Sequence, residues 1–208
     1  KKYMKGEVND KHDAIIEAAI RRFSHFGIQK TNMTEIADDV AISKQALAYY
    51  FPDKQSLVKA VGEQIIKQYL QQVEISFQSS PTIEVALIQL CDIKKTFFER
   101  YYMLYLQTSS ADFKTGHPEL VHFKEQVRIK ELQIVATLLQ NGLAVGEISS
   151  LDIDKTSALI VDTLRAFECA VKLEKVFPDQ QDFQEMIVKQ KAMLHLLVNG
   201  LKQNNKRA

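Results

Sequence analysis

Ser43, Lys44, Gln45, Tyr49 and Tyr50 crowd into the short stretch AISKQALAYYF, residues 41–51, directly after the acidic segment TNMTEIADDV. Together they make a set of donors suited to base edges and to a polyanionic backbone. A glutamine amide can bridge adenine N6 and N7, and a lysine ammonium can donate to guanine O6 or N7. Phenol hydroxyls reach phosphate oxygens, and Lys54, at the start of the following segment, suits a phosphate beside a helix N-terminus. A second group offers other chemistry: GHPELVHFKE, 116–125, holds His117, Glu119 and His122, which gives both H-x-E and E-x-x-H. The zinc-deaminase pattern requires a P-C-x-x-C that this chain lacks. A di-iron helical bundle requires a second E-x-x-H on another helix, which the remaining histidines do not provide. A helical metal-binding enzyme therefore stands as a rival reading, beside a helical module that binds only protein. The expectation is a protein that is not an enzyme and holds no cofactor or metal.

The elements that must position these residues are all helical by pattern. With seven Gly, four Pro and no Trp, nearly every segment shows an apolar period near 3.6 and none alternates as a half-buried strand would. The spacing predicts a helix from about Lys11 to Phe26, capped by Asp10 and stopped by Gly27, with Ile15, Ile16, Ala19, Ile20 and Phe23 on one stripe. Asn32 with Glu35 forms a capping box for a second helix. Ser43 caps a third, and Phe51-Pro52-Asp53-Lys54 ends it and opens a fourth. From there the helices lengthen. One reaches about Phe77, the next carries Ile83 to Tyr105, another runs from Pro118 to Val145, Asp152 caps one that runs to Val176, and the last spans Asp182 to about Leu201. The fold class expected is all-α with about nine helices: a helix-turn-helix domain at 1–53, with the motif itself near 32–51, and a larger helical domain at 54–208.

Charge and cysteine content set further bounds. The formal charge is +1, which excludes a uniformly basic nucleic-acid binder while allowing a local basic face. The first sixty residues hold ten Lys/Arg against eight Asp/Glu. Cys91 and Cys169 are too few for a disulfide framework, and both fall within apolar helical patterns, so they read as small buried hydrophobes in a reduced, cytoplasmic protein. No apolar run approaches a membrane span, and the first ten residues lack the apolar stretch of a signal peptide.

Two short helices joined by a tight turn around residues 40–42 are helix-turn-helix geometry, in which the second places its leading residues in a major groove. The chain also resembles the amino-terminal domain of TetR-family transcriptional regulators. The resemblance rests on A-A-x-x-x-F-x-x-x-G at 18–27, T-N-M-T-E-I-A at 31–37, I-S-K at 42–44 and L-A-Y-Y-F-P-D-K at 47–54. It implies DNA contacts by Thr34, Ser43, Lys44, Gln45, Ala46, Tyr49, Tyr50 and Lys54. It also implies a palindromic double-stranded operator and a homodimer, most often a repressor, whose large domain takes a small-molecule effector. Three positions depart from the family pattern. Ala41 stands where Gly is common in the turn, Ala48 replaces a usual tyrosine, and Gln45 occupies a site often held by Gly or Pro.

For the large domain the sequence offers an aromatic series. Phe97, Tyr101 and Tyr105 recur every four residues, with Arg100, Met103, Phe113, Phe123 and Arg128 nearby. These either line an apolar cavity with a few polar anchors or form plain core. Glu168, between Phe167 and Cys169, faces either such a cavity or a helix partner. The candidate ligand residues are Phe97, Arg100, Tyr101, Tyr105, Phe123 and Glu168, and the ligand expected is mainly apolar. Ile160, Leu164, Phe167 and Val171, with Met193 and Leu197, are the candidates for a two-fold, four-helix dimer contact. The alternative is that they all turn inward within one subunit.

Overall fold

A computed structural model of the chain describes residues 2–107, 118–175 and 177–202, with side chains described from residue 10 to 104 and from 122 onward within those ranges. It is all-helical, with nine helices among the described residues and a single isolated β-bridge, Ile148 to Lys202. They are α1 (Lys2–Phe26), α2 (Met33–Asp39), α3 (Lys44–Tyr50), α4 (Lys54–Ser79), α5 (Ile83–Arg100), α6 (Tyr102–Gln107), α7 (Pro118–Ala144), α8 (Ile153–Glu174) and α9 (Gln180–Leu201). The chain divides into two compact units, 1–67 with 100–123 and 68–99 with 124–208.

In the first unit α1 packs on α2 and α6, and α2 packs on α3. Its interior is the apolar stripe of α1 (Ile15, Ala19 and Phe23), joined by Ile28, Ile36, Ala37 and Leu47. Local chemistry sets the ends of the short helices. The Asn32 side chain accepts from the Glu35 amide at 2.9 Å while the Glu35 carboxylate accepts from the Asn32 amide at 3.0 Å, a complete capping box. Ser43 Oγ accepts from the Ala46 amide at 3.1 Å, and Asp53 Oδ1 accepts from the Ser56 amide at 2.7 Å. Gly27 ends α1 with φ of 83°, the left-handed conformation that glycine adopts without a Cβ clash.

Four expectations are corrected here. Asp10 does not cap α1, which begins at Lys2; residues 2–10 contain no proline and a single glycine, so no strong breaker halts propagation. The long aromatic helix is interrupted at Tyr101, giving α5 and α6. The last helix begins at Gln180 rather than Asp182, because Asp179 caps it and Asp182 completes the capping box by accepting from the Asp179 amide at 2.7 Å. Cys91 is buried as expected, but Cys169 is exposed, because the inward face of α8 is set by Ser157, Ile160, Val161 and Leu164.

In the second unit the interior is built from Leu87, Leu90 and Cys91 of α5, Val135 and Leu139 of α7, Ile160, Val161 and Leu164 of α8, and Phe183, Ile187, Leu194 and Val198 of α9. Asp152 caps α8 by accepting from the Lys155 amide at 3.0 Å. Gly146, at φ of 76°, closes α7, and the Glu147 amide reaches back to the Gly142 carbonyl at 2.9 Å.

The turn between α2 and α3 is strained. Ala41 sits at φ of 53° and is the one non-glycine residue with positive φ among those described. A left-handed backbone costs a side-chain-bearing residue roughly 1–2 kcal/mol, and glycine's greater freedom in the unfolded chain returns about 0.4–1 kcal/mol of that. Ala41→Gly is therefore expected to stabilise the protein by about 0.5–1 kcal/mol, read as a higher urea midpoint at an unchanged slope.

Candidate nucleic-acid interface and interior charge cluster

A helix of seven residues is too short to be stable alone, so α3 must be held by its surroundings. Leu47 is fully buried, Phe51 follows it into the interior, and the Phe51 amide closes the helix on the Leu47 carbonyl at 2.9 Å. The ring of His12, on α1, stacks on Phe51 with centroids 5.0 Å apart. α2 is fixed from α1 by Arg22, whose guanidinium grips the Asp39 carboxylate through Nε at 2.6 Å and Nη2 at 2.7 Å and also lies 3.5 Å from Glu35. This hydrogen-bonded pairing holds the Asp39 carboxyl below its ordinary range, as a bidentate guanidinium should.

With Leu47 pointing inward, the opposite side of α3 faces outward. Ser43, Lys44, Gln45, Ala48 and Tyr49 are exposed, Tyr49 to 80 %, while Ala46 and Tyr50 are half-buried. Lys44, Gln45, Ala48 and Tyr49 follow the i, i+1, i+4, i+5 pattern of one helix face. Tyr49 and Tyr50 meet edge to face at 5.3 Å. Thr34, in the first turn of α2, is exposed. Lys54 is half-buried; its Nζ donates to the Gln29 carbonyl at 3.4 Å, and burial lowers its pKa. α3 carries one cation and no acid, so its outward face combines a positive charge, an amide and two phenols. Ala48 was read from sequence only as a missing tyrosine; the structure places its methyl group on that face.

The six candidate ligand residues do not gather in one unit. Arg100, Tyr101 and Phe123 belong to the first and Phe97 and Glu168 to the second, while the side chain of Tyr105 lies outside the described residues, as do Phe113 and His117. Arg100 is exposed and lies 5.3 Å over the Tyr101 ring. Phe123 is buried against Gly62, where an added Cβ would fall 2.2 Å from the ring. Among the described residues no group of three His, Cys, Asp or Glu could hold a metal ion.

Glu168 proves to have a helix partner. Lys94 Nζ of α5 donates to Glu168 at 3.0 Å and lies 2.9 Å from Glu131 of α7, and the Tyr69 hydroxyl of α4 donates to Glu131. Lys94, Glu131 and Tyr69 are buried. The edge of the Phe97 ring packs against Tyr69 at 5.3 Å between centroids. Burial by itself would depress the Lys94 ammonium, but the two carboxylates reverse this and hold its pKa above the ordinary lysine value. Burial, together with Glu131, likewise raises the Tyr69 phenol, and burial pushes the Cys91 thiol up to about 12.

Of the six dimer candidates, Ile160 and Leu164 are fully buried inside their own chain and so cannot meet a partner. Phe167, Val171, Met193 and Leu197 are half-buried. The outward faces of the same helices carry residues the sequence reading passed over: Leu159, Ala166, Ala170 and Leu173 on α8, and Val188, Ala192 and Leu196 on α9. α8 and α9 pack on each other.

A short helix presenting donors from a buried footing, set behind a capped partner helix and joined to it by a tight turn, is a helix-turn-helix arrangement. Residues 15–61 match the family model for bacterial regulatory proteins of the tetR family. Over 63 residues the chain is 43% identical to the HTH-type transcriptional regulator RutR of Escherichia coli strain K12, a match that spans 30% of each chain. A crystal structure of a transcriptional regulator from Cytophaga hutchinsonii superposes with a TM-score of 0.82 at 26% identity, covering 93% of this chain and 99% of that one. The regulator FadR of Bacillus subtilis, solved in complex with stearoyl-CoA, superposes at 0.65 with 18% identity over 90% of this chain and 98% of its own. The matched residues, 15–61, contain α2, α3 and the turn between them, so the likeness to tetR-family regulators falls on the helix-turn-helix itself.

The interior cluster gives a prediction with a definite sign. Lys94 and Tyr69 both have folded-state pKa values above their unfolded values, so their contribution is complete below about pH 10 and is lost as pH rises past it. Lys94→Met leaves a buried carboxylate without its cation and is expected to cost about 3–5 kcal/mol. Thermal unfolding across neutral and alkaline pH checks this: the wild-type advantage over the variant should be constant near neutrality and shrink above about pH 10.

Proposed function

We propose that this regulator is a homodimer that binds a palindromic operator through two copies of α3 and represses by occluding a promoter, with a small, mainly apolar ligand controlling its release. The observation that carries the reading is the outward face of α3, with Lys44, Gln45 and Tyr49 exposed above a fully buried Leu47. Lys44 and Gln45, at the leading end, are placed to read base edges in a major groove. Ser43, Thr34, Tyr49, Tyr50 and Lys54 suit phosphate oxygens, which fix register without reading sequence. Ala46 lies beside these groups at the start of the helix. On this reading residues 1–53 form the DNA-binding domain and 54–208 the effector and dimerisation domain.

The dimer is supported by the exposed apolar stripes of α8 and α9. Leu159, Leu173, Val188 and Leu196 are all more than half exposed, with small Ala166, Ala170 and Ala192 between them. Two adjacent helices with such faces make a self-complementary surface for a two-fold, four-helix contact. Small residues in the middle allow close approach, and large ones at the ends supply apolar area. Phe167, Val171, Met193 and Leu197 flank these stripes and would be covered with them. Ligand control is supported by likeness of fold to FadR, which was solved with stearoyl-CoA bound. An effector must favour the released arrangement by a few kcal/mol to empty the operator.

Genomic fragments retained by the protein supply the DNA for testing. Lys44→Ala and Gln45→Ala should each cost about 1–3 kcal/mol on the best fragment and relax sequence preference, whereas Lys54→Ala should weaken all fragments alike and reduce the salt dependence by about one unit of log–log slope. Retention of full affinity by the Lys44→Ala/Gln45→Ala double variant, with the fold intact, would favour a module that binds only protein. Leu196→Glu should shift the protein from dimer to monomer in sedimentation and sharply weaken operator binding.

A further inference from the structure

The cluster inside the second unit holds more negative than positive charge. Among the described residues, Lys94 is the cation paired with both carboxylates, Glu131 and Glu168, and the fourth member, Tyr69, is neutral. The two acids are not equivalent. Glu131 is sealed, with 2 % of its side chain exposed, and is served by both Lys94 and the Tyr69 hydroxyl. Glu168 retains 18 % side-chain exposure and pairs with Lys94 through Oε1. Lys94 and Glu131 already balance one another, so Glu168 is the surplus anion and the one that solvent can reach. An unbalanced carboxylate held mostly out of water is costly unless a cation or proton answers it.

A second observation is independent of charge. Gln190 of α9 is fully buried, and its amide Nε2 donates to the Leu164 carbonyl at 2.9 Å, one helical turn before Glu168 on α8. Its Oε1 has no hydrogen-bond partner among the described residues. A buried acceptor left without a donor is rare in a folded interior. Gln190 Oε1 is thus a further unanswered acceptor on the α8–α9 side of this unit, and the Tyr69 ring, whose hydroxyl donates to Glu131, packs on Phe97 and adds aromatic surface that attracts a cation.

From this arrangement we infer that the effector of this regulator carries a cationic nitrogen head, an ammonium or a guanidinium, on its apolar body, and that Glu168 is the residue that receives it. The inference rests on the reading of the protein as ligand-controlled and names the chemical class of that ligand. An anionic head would have to displace Glu168 from Lys94 and would leave the cluster with more unbalanced charge. A neutral head would leave Lys94 shared between the two carboxylates and add no positive charge to answer the second.

Calorimetric titration of the full chain with phenethylammonium chloride, 3-phenylpropanoate and 2-phenylethanol tests this, because the three share an aromatic body and differ in the charge of the head. The ammonium should bind at least about tenfold more tightly than the other two, the minimum expected of one charge-assisted contact. Glu168→Gln, confirmed as folded by circular dichroism, should abolish that preference. The inference is overturned if the acid or the alcohol binds as well as the ammonium, if none binds at millimolar concentration, or if the preference survives in Glu168→Gln. Operator release separates this from the broader reading. Glu168-dependent ammonium binding that leaves DNA bound supports the site and removes ligand-driven release, whereas release by a probe indifferent to Glu168 overturns the site and keeps ligand control.

Discussion

The burial of Leu47 and Phe51 is the constraint on which the outward face of α3 depends. Seven residues form too few intrahelical hydrogen bonds to offset the entropy of ordering them, so α3 exists only because its inner side is docked into the interior shared with α1 and α2. Docking also fixes rotation. Once Leu47 points inward, Lys44, Gln45, Ala48 and Tyr49 have no choice but to point outward. Around that anchor, Ser43 satisfies the free amide of Ala46, the Asn32–Glu35 box does the same for α2, and the Arg22–Asp39 pair ties α2 to α1. These contacts are mostly at the surface and individually weak. Their combined effect is to define orientation, while the apolar interior supplies stability.

The second unit is organised differently, around a charged centre. Lys94, Glu131, Glu168 and Tyr69 come from α5, α7, α8 and α4 respectively. A buried ionic group contributes little net stability compared with apolar packing, yet removing one partner is severe. Such a cluster makes the relative placement of four helices all-or-none. Interiors packed this closely switch between arrangements instead of deforming smoothly.

Much of the architecture was legible in the sequence because the signals were local. Asn32, Ser43 and Asp152 announced helix starts through side chains that accept backbone amides within three residues, and Gly27 and Gly146 announced helix ends. The exposed face of α3 followed from the period of Leu47 against Lys44 and Gln45. Local signals also misled. Asp10 has the chemistry of a cap but lies inside a continuous helix, and the aromatic series from Phe97 to Tyr105 kept a helical period across the break at Tyr101. Lys94 was legible and overlooked: it lies three residues after Cys91 and three before Phe97, on the buried stripe of α5, and a lysine there requires an acidic partner from elsewhere in the chain. That the partners are Glu131 and Glu168 is a matter of tertiary placement, which no local pattern encodes. The same holds for Ile160 and Leu164, whose apolar character suits a partner subunit and a core equally well.

The most direct measurement is chemical interference mapping on a fragment the protein retains. If two copies of α3 occupy successive major grooves, methylation of guanine N7 should block binding in two symmetric clusters about one helical turn, roughly 10 base pairs, apart. Interference confined to adenine N3 in the minor groove, or a single cluster without a symmetric mate, would contradict the account.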